Sequence, residues 1–191
     1  MLVLIAGLLV FLGVHLVRIL ADDWRNAQIA RHGEKAWKLA YTVVSLVGFG
    51  LILWGFHLAR MSPVVLWPRI PGMNHLAALL VLLAFILLAA AYVPRNHLKA
   101  RFGHPMVLSV KVWALAHLLA NNTLADLLLF GSFLAWAVLS FIALRRRDRA
   151  AGVVPPAGTA KGTVLTVIIG AVAWAVFAFW LHAMLIGVQP I

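Results

Sequence analysis

The sequence predicts an all-α fold, a polytopic transmembrane helical bundle with five to six membrane-spanning helices, and three observations carry that expectation. Of the 191 residues, 64% are apolar and 11% charged, with a mean hydropathy of +1.02, whereas a soluble domain is about half apolar and a quarter charged. The apolar residues gather in runs near the roughly 20 residues that a helix needs to cross the hydrocarbon core. The basic residues, which bring the net charge to +11, fall between those runs. On a soluble protein such a charge would point to nucleic acid; here it marks topology and contacts with anionic lipid, so the bilayer is the expected partner and no nucleic acid is. Cysteine is absent, which excludes disulfides, thiolate ligands and cysteine nucleophiles.

Four runs meet the spanning length cleanly: Leu2–Leu20, Trp37–Ala59, Leu124–Leu144 and Val164–Val188. Met73–Tyr92 is a fifth and carries no charge. Pro105–Ala120 is shorter and contains Lys111; it opens with Gly103-His104-Pro105, and proline at the first helical position is a start signal. The first helix has no basic leader and no small-residue cleavage site, so it reads as an anchor that stays. The stretch from Ala150 to Gly158 reads as a flexible connection before the last helix. No internal repeat is visible. The chain reads as a single transmembrane domain, 1–191, with 146–162 a basic, Pro/Gly-containing cytoplasmic connection and 163–191 the last helix.

Charge decides whether Pro105–Ala120 crosses. The first connection holds Arg25, Arg31 and Lys35, the third Arg95, Lys99 and Arg101, and the fifth Arg145, Arg146, Arg147, Arg149 and Lys161. The second holds only Arg60 and Arg69, and the fourth, Asn121-Asn122-Thr123, holds none. This alternation requires Pro105–Ala120 to span, and it places the odd connections in the cytoplasm and both termini on the other side.

No phosphate loop, serine-nucleophile elbow or carboxylate pair is present. Asp22, Asp23, Glu34 and Asp148 lie among basic residues and read as surface charge balance, while Asp126 reads as a helix-start residue. The informative feature is eight histidines. His32 and His97 fall in basic connections and read as solvated. His15, His57, His75, His104, His117 and His182 lie in or at the ends of apolar helices, where ionisable groups are costly and mark function; interfacial or interhelical hydrogen bonding alone would explain His75 or His182.

His104 and His117, thirteen residues apart, are separated by about 20 Å along a helix and cannot share one metal. His117 shares a face with Trp113 and Asn121 through i,i±4 spacing, which gives it an aromatic neighbour and a polar group able to fix its tautomer. A haem between helices needs neutral imidazoles from two facing helices. His15 and His117 are the deepest histidines. Counted along the helices, however, His15 is about 7 Å from the cytoplasmic end and His117 is nearer the opposite end, so His57 or His182 would match His117 more easily in depth.

The order of His15, Ala36-Trp37-Lys38, His57, the loop Val65-Leu66-Trp67-Pro68-Arg69-Ile70-Pro71-Gly72, His75, Gly103-His104-Pro105 and Trp113-Ala114-Leu115-Ala116-His117 resembles the NnrU family of bacterial membrane proteins. The motifs cover about residues 1–145, an NnrU-like core. The resemblance implies a multi-pass protein of the bacterial inner membrane that supports nitrite and nitric oxide respiration (denitrification), with respiratory or denitrification partner proteins. More distantly, the pattern is similar to plant 15-cis-ζ-carotene isomerase, a membrane enzyme with a haem b held by two histidines. Those ligand positions fall on His15 and His117, and the other histidines of its pattern on His57 and His104. This likeness implies haem b as cofactor and His15 and His117 as the iron ligands. Arg18 and Lys111 would neutralise the propionates, Trp113 would lie beside the ring, and His57, His104 and Asn121 would support the pocket through hydrogen bonds. Lys111 is explained equally well by snorkelling to headgroups.

Two readings follow. The first is a membrane b-type haem protein acting in electron transfer, nitric oxide-linked chemistry or isomerisation of a long apolar substrate, with catalytic residues unassigned. The alternative is a non-enzymatic assembly or interaction protein for a respiratory complex, its histidines acting as interhelical glue and Trp37, Trp54, Trp67 and Trp180 as interfacial anchors.

Overall fold

The computed structural model describes all 191 residues and is all-helical. Its helices are α1 (Leu2–Leu20), α2 (Asp22–His32), α3 (Glu34–Met61), α4 (Met73–Tyr92), α5 (His97–Phe102), α6 (Pro105–Ala120), α7 (Leu124–Ala150), α8 (Ala160–Val176) and α9 (His182–Ile186). A π-helical turn, Phe177–Leu181, joins α8 to α9. Five helices are long and apolar enough to cross a membrane: α1, α3, α4, α7 and the continuous stretch Ala160–Ile186. α6 is the shorter apolar helix, its 16 residues giving about 24 Å. Large apolar side chains such as Leu9, Leu46, Leu79, Leu139 and Val172 are exposed along these helices, a surface suited to lipid and not to water. The chain is a multi-pass membrane protein.

Two helices lie where the sequence reading expected connections. Both are too polar or too short to register as apolar runs. α2 places Asp22 and Asp23 in its first turn and Arg31 and His32 in its last, which matches the helix dipole at each end. It stops at Gly33, whose φ of +84° favours glycine. The arginine-rich segment after Leu144 is also helical, because α7 continues to Ala150. α8 begins at Ala160, so the irregular connection is confined to residues 151–159.

The chain divides into two compact units. The first comprises Met1–Pro68 and Asn122–Ser140, and the second Arg69–Asn121 and Phe141–Ile191. In the first, α1 packs on α3 with glycine at each closest approach. Gly55 meets Leu4, Gly7 meets Ile52, and Gly48 meets Phe11. Contacts advance along α1 as they recede along α3, so the two helices are antiparallel. Lipid gives no hydrophobic drive for helices to associate, and small residues that admit close backbone packing take its place. The second and fourth connections are tied together in this unit. Leu66 N–H donates to Asn122 O at 2.9 Å and Leu124 N–H to Val64 O at 2.9 Å, forming the bridge Val65–Thr123. Asn122 Nδ2 donates to Trp67 O at 2.7 Å. Thr123 and Asp126 then open α7 as a reciprocal cap: the carboxylate accepts from Thr123 N and Oγ1, and Asp126 N donates to Thr123 Oγ1. Asp126 is the helix-start residue its position predicts.

In the second unit α4 packs against both α6 and α8. Gly170 seats on Ile86 and Gly162 on Pro94 and Arg95, so α4 and α8 are antiparallel. Here the third and fifth connections are joined. Thr159 N donates to Arg95 O at 2.7 Å and Thr159 Oγ1 to the same oxygen at 3.0 Å. His97 N donates to Thr163 Oγ1 at 3.1 Å. The second connection thus pairs with the fourth in one unit and the third with the fifth in the other.

Asn96 organises this end of α4. It is 1% exposed. Its Nδ2 donates to Ala90 O at 2.9 Å and Val93 O at 2.6 Å, and its Oδ1 accepts from Lys99 N at 2.7 Å. One side chain therefore caps the end of α4 and the start of α5. Asn96→Ala strands the buried carbonyls of Ala90 and Val93 and the part-buried Lys99 N–H and is expected to cost about 2–4 kcal/mol, measured by detergent-titrated unfolding; Asn96→Asp, which turns a second acceptor oxygen toward the same two carbonyls, is expected to cost at least as much.

Candidate functional site

The histidines sort by environment. His57 is exposed on α3, away from the Gly48–Gly55 seam with α1. His75 is exposed in the first turn of α4, and His182 is half-buried with Nδ1 donating to Val188 O at 2.6 Å. His32 is exposed in the last turn of α2. His97 is exposed and its Nδ1 lies 2.8 Å from Thr163 Oγ1. His15, His104 and His117 are half-buried as well. His15 belongs to the first unit; His104 and His117 belong to the second.

His15 sits in an aromatic cage. Phe11 stacks on it at a centroid distance of 4.2 Å, Tyr41 of α3 lies at 5.2 Å, and Trp136 of α7 meets it edge-on at 5.8 Å. Nδ1 donates to Phe11 O at 2.6 Å. A carbonyl only accepts, so the proton is on Nδ1 and the lone pair on Nε2. His117 repeats this arrangement: Nδ1 donates to Trp113 O at 2.9 Å, and the Trp113 ring lies at 5.2 Å. Each ring is locked by the carbonyl four residues back, the hydrogen bond that fixes ligating histidines in orientation and tautomer. The i−4 aromatic neighbour of His117 is as expected, but Asn121 plays a different part. Its Nδ2 donates to the His117 backbone carbonyl at 2.8 Å and leaves the ring to Trp113.

Arg18 is exposed in the last turn of α1, one turn beyond His15. Lys111 Nζ lies 5.1 Å from the centre of the Phe141 ring, a cation–π contact that accommodates a half-buried ammonium. His104 precedes Pro105 at the start of α6 and makes no side-chain cap. Its Nε2 pairs with Asp148 Oδ2 at 2.8 Å. This corrects the reading of Asp148 as mere charge balance: its carboxylate joins the start of α6 to the end of α7. Gly103, just before His104, has a φ of +74°, a backbone conformation that favours glycine. Charge balance does describe Glu34, paired with Lys38 at 2.8 Å, and Asp22, 3.7 Å from Arg25.

Sequence reasoning missed Phe11, Tyr41 and Trp136 around His15. Phe11 was accessible through its i−4 spacing; no periodicity links Trp136 to α1. No group of three or more potential metal-ligating side chains converges; a haem needs two at most.

Among known proteins, neither a curated protein nor a solved structure matches the chain. The family profile described as NnrU protein matches residues 3–190, which extends the likeness through the last helix, beyond the first 145 or so residues that carry the motifs. Membrane-spanning helices from end to end and a family match of the same extent lead to one assignment: the chain belongs to the NnrU family.

Proposed function

We propose that this protein is an integral membrane b-type haem protein, with His15 and His117 as the axial ligands of the iron. One observation carries the reading. The two deep histidines share one local design, Nδ1–H held by the i−4 carbonyl and the lone pair on Nε2, which is the ligating form of imidazole. The exposure of His57 favours His15 over it as the partner of His117.

When bound, the haem would supply one-electron redox chemistry, or isomerisation of a long apolar substrate, in support of nitrite and nitric oxide respiration. The chain's own residues hold the two imidazoles in fixed rotations, surround His15 with aromatic rings that exclude water, and place Arg18 and Lys111 as counter-charges for the propionates. We take the basic third and fifth connections as cytoplasmic, which would put both termini on the other side of a bacterial inner membrane.

The test is the absorption spectrum of protein purified from haem-sufficient cells. A Soret band, with the sharp reduced-state bands of a bis-histidine haem, is expected; protein purified without a Soret band refutes the reading.

A further inference from the structure

Trp136 carries a buried indole N–H that the haem reading has not yet used. Its Nε1 has no hydrogen-bond partner, although the ring lies against His15. Twelve residues into α7, it is about 18 Å along the helix, too deep for the belt of tryptophans at headgroup level. Buried indole N–H groups find an acceptor, because leaving one unpaired in apolar surroundings is costly. The protein does not supply one: the indole makes no hydrogen bond, and the His15 Nε2 lone pair left by the Nδ1 bond to Phe11 O is the one that would ligate the iron. The acceptor therefore arrives with whatever binds at His15.

A porphyrin's rim is hydrocarbon except for its two propionate carboxylates, and with both axial positions taken by histidine those are the acceptors it can offer. We infer that Trp136 donates its indole N–H to a propionate of the haem bound at His15. The inference rests on the haem reading and adds a residue that positions the ring in its own plane. Iron ligation holds the haem along its axis; the indole hydrogen bond selects its rotation about that axis.

The experiment measures haem loss from the purified full-length protein to an excess of apo-myoglobin, for haem b and for its dimethyl ester. Trp136→Phe keeps an aromatic ring and removes the donor. It should keep the bis-histidine spectrum and lose haem b about tenfold faster than the unmodified protein, in line with one hydrogen bond to a charged group. With the dimethyl ester, which lacks the carboxylate charge, the two proteins should lose the ligand at nearly equal rates. Trp174→Phe removes the other buried indole N–H without a partner, which lies against Phe179, and should behave as unmodified protein. Equal loss of haem b from Trp136→Phe and unmodified protein overturns the inference and leaves the haem reading standing. Equal acceleration with haem and ester, or in Trp174→Phe as well, assigns the effect to packing and overturns it too. Should Trp136→Phe not fold, the unmodified protein decides alone: an ester retained as firmly as haem b overturns the inference. Unmodified protein that takes up no haem removes both.

Discussion

Gly55→Leu is expected to separate α1 from α3 and to destabilise the first unit by about 3 kcal/mol or more. A Cβ at Gly55 would run into Leu4 N and lie 2.5 Å from Leu4 Cα and 2.7 Å from Val3 C. These are backbone atoms, so no rotamer change can relieve the overlap, and the helices must move apart. Lost with the contact is the dispersion energy of a seam that Gly7, at 2.6 Å from Ile52 N, and Gly48, at 2.7 Å from Phe11 N, keep equally tight. Gly50 lies on the same helix and supplies the control, for nothing is within 4 Å of its would-be Cβ. Gly50→Leu should be neutral or slightly stabilising, since glycine costs a helix interior about 1 kcal/mol relative to alanine. Unfolding in mixed detergent micelles should place the two variants on opposite sides of the unmodified protein. Coincident transitions would mean that the α1–α3 seam is not backbone-tight.

Much of this architecture was legible because membrane insertion writes itself into composition. Apolar length identified all five long spans, and the charge alternation is what asks the shorter α6 to cross as well. What escaped was structure that does not depend on apolar length. α2 is polar and α5 has six residues, and the caps at Asn96 and Gly33 depend on backbone hydrogen bonds and φ, not on hydropathy. The site was legible one helix at a time. His117 with Trp113 follows from spacing of four, as does Phe11 beneath His15. Tyr41, Trp136 and the His104–Asp148 pair required knowing which helices pack together, and no period along the chain carries that information.

The second large effect concerns the two locked imidazoles. Removing a hydrogen-bond partner that merely orients a metal ligand costs about 10–100-fold in metal affinity, and removing the ligand itself must cost more. His15→Ala and His117→Ala should each lose most of their bound haem while remaining folded and inserted, because the Nδ1 hydrogen bond lost in each case lies within its own helix. His32→Ala and His97→Ala, at exposed positions, should retain it in full. His104→Ala should retain the ligand pair and loosen the start of α6, where the Asp148 bond is lost.

The most direct measurement is the Soret absorbance per protein, with the reduced-state spectrum, across His15→Ala, His117→Ala, His57→Ala and His182→Ala purified side by side. Two deep losses are expected, at His15 and His117, with unmodified bis-histidine spectra at His57 and His182. A His15→Ala protein that keeps the full bis-histidine spectrum, with the loss moved to His57→Ala or His182→Ala, would contradict the account.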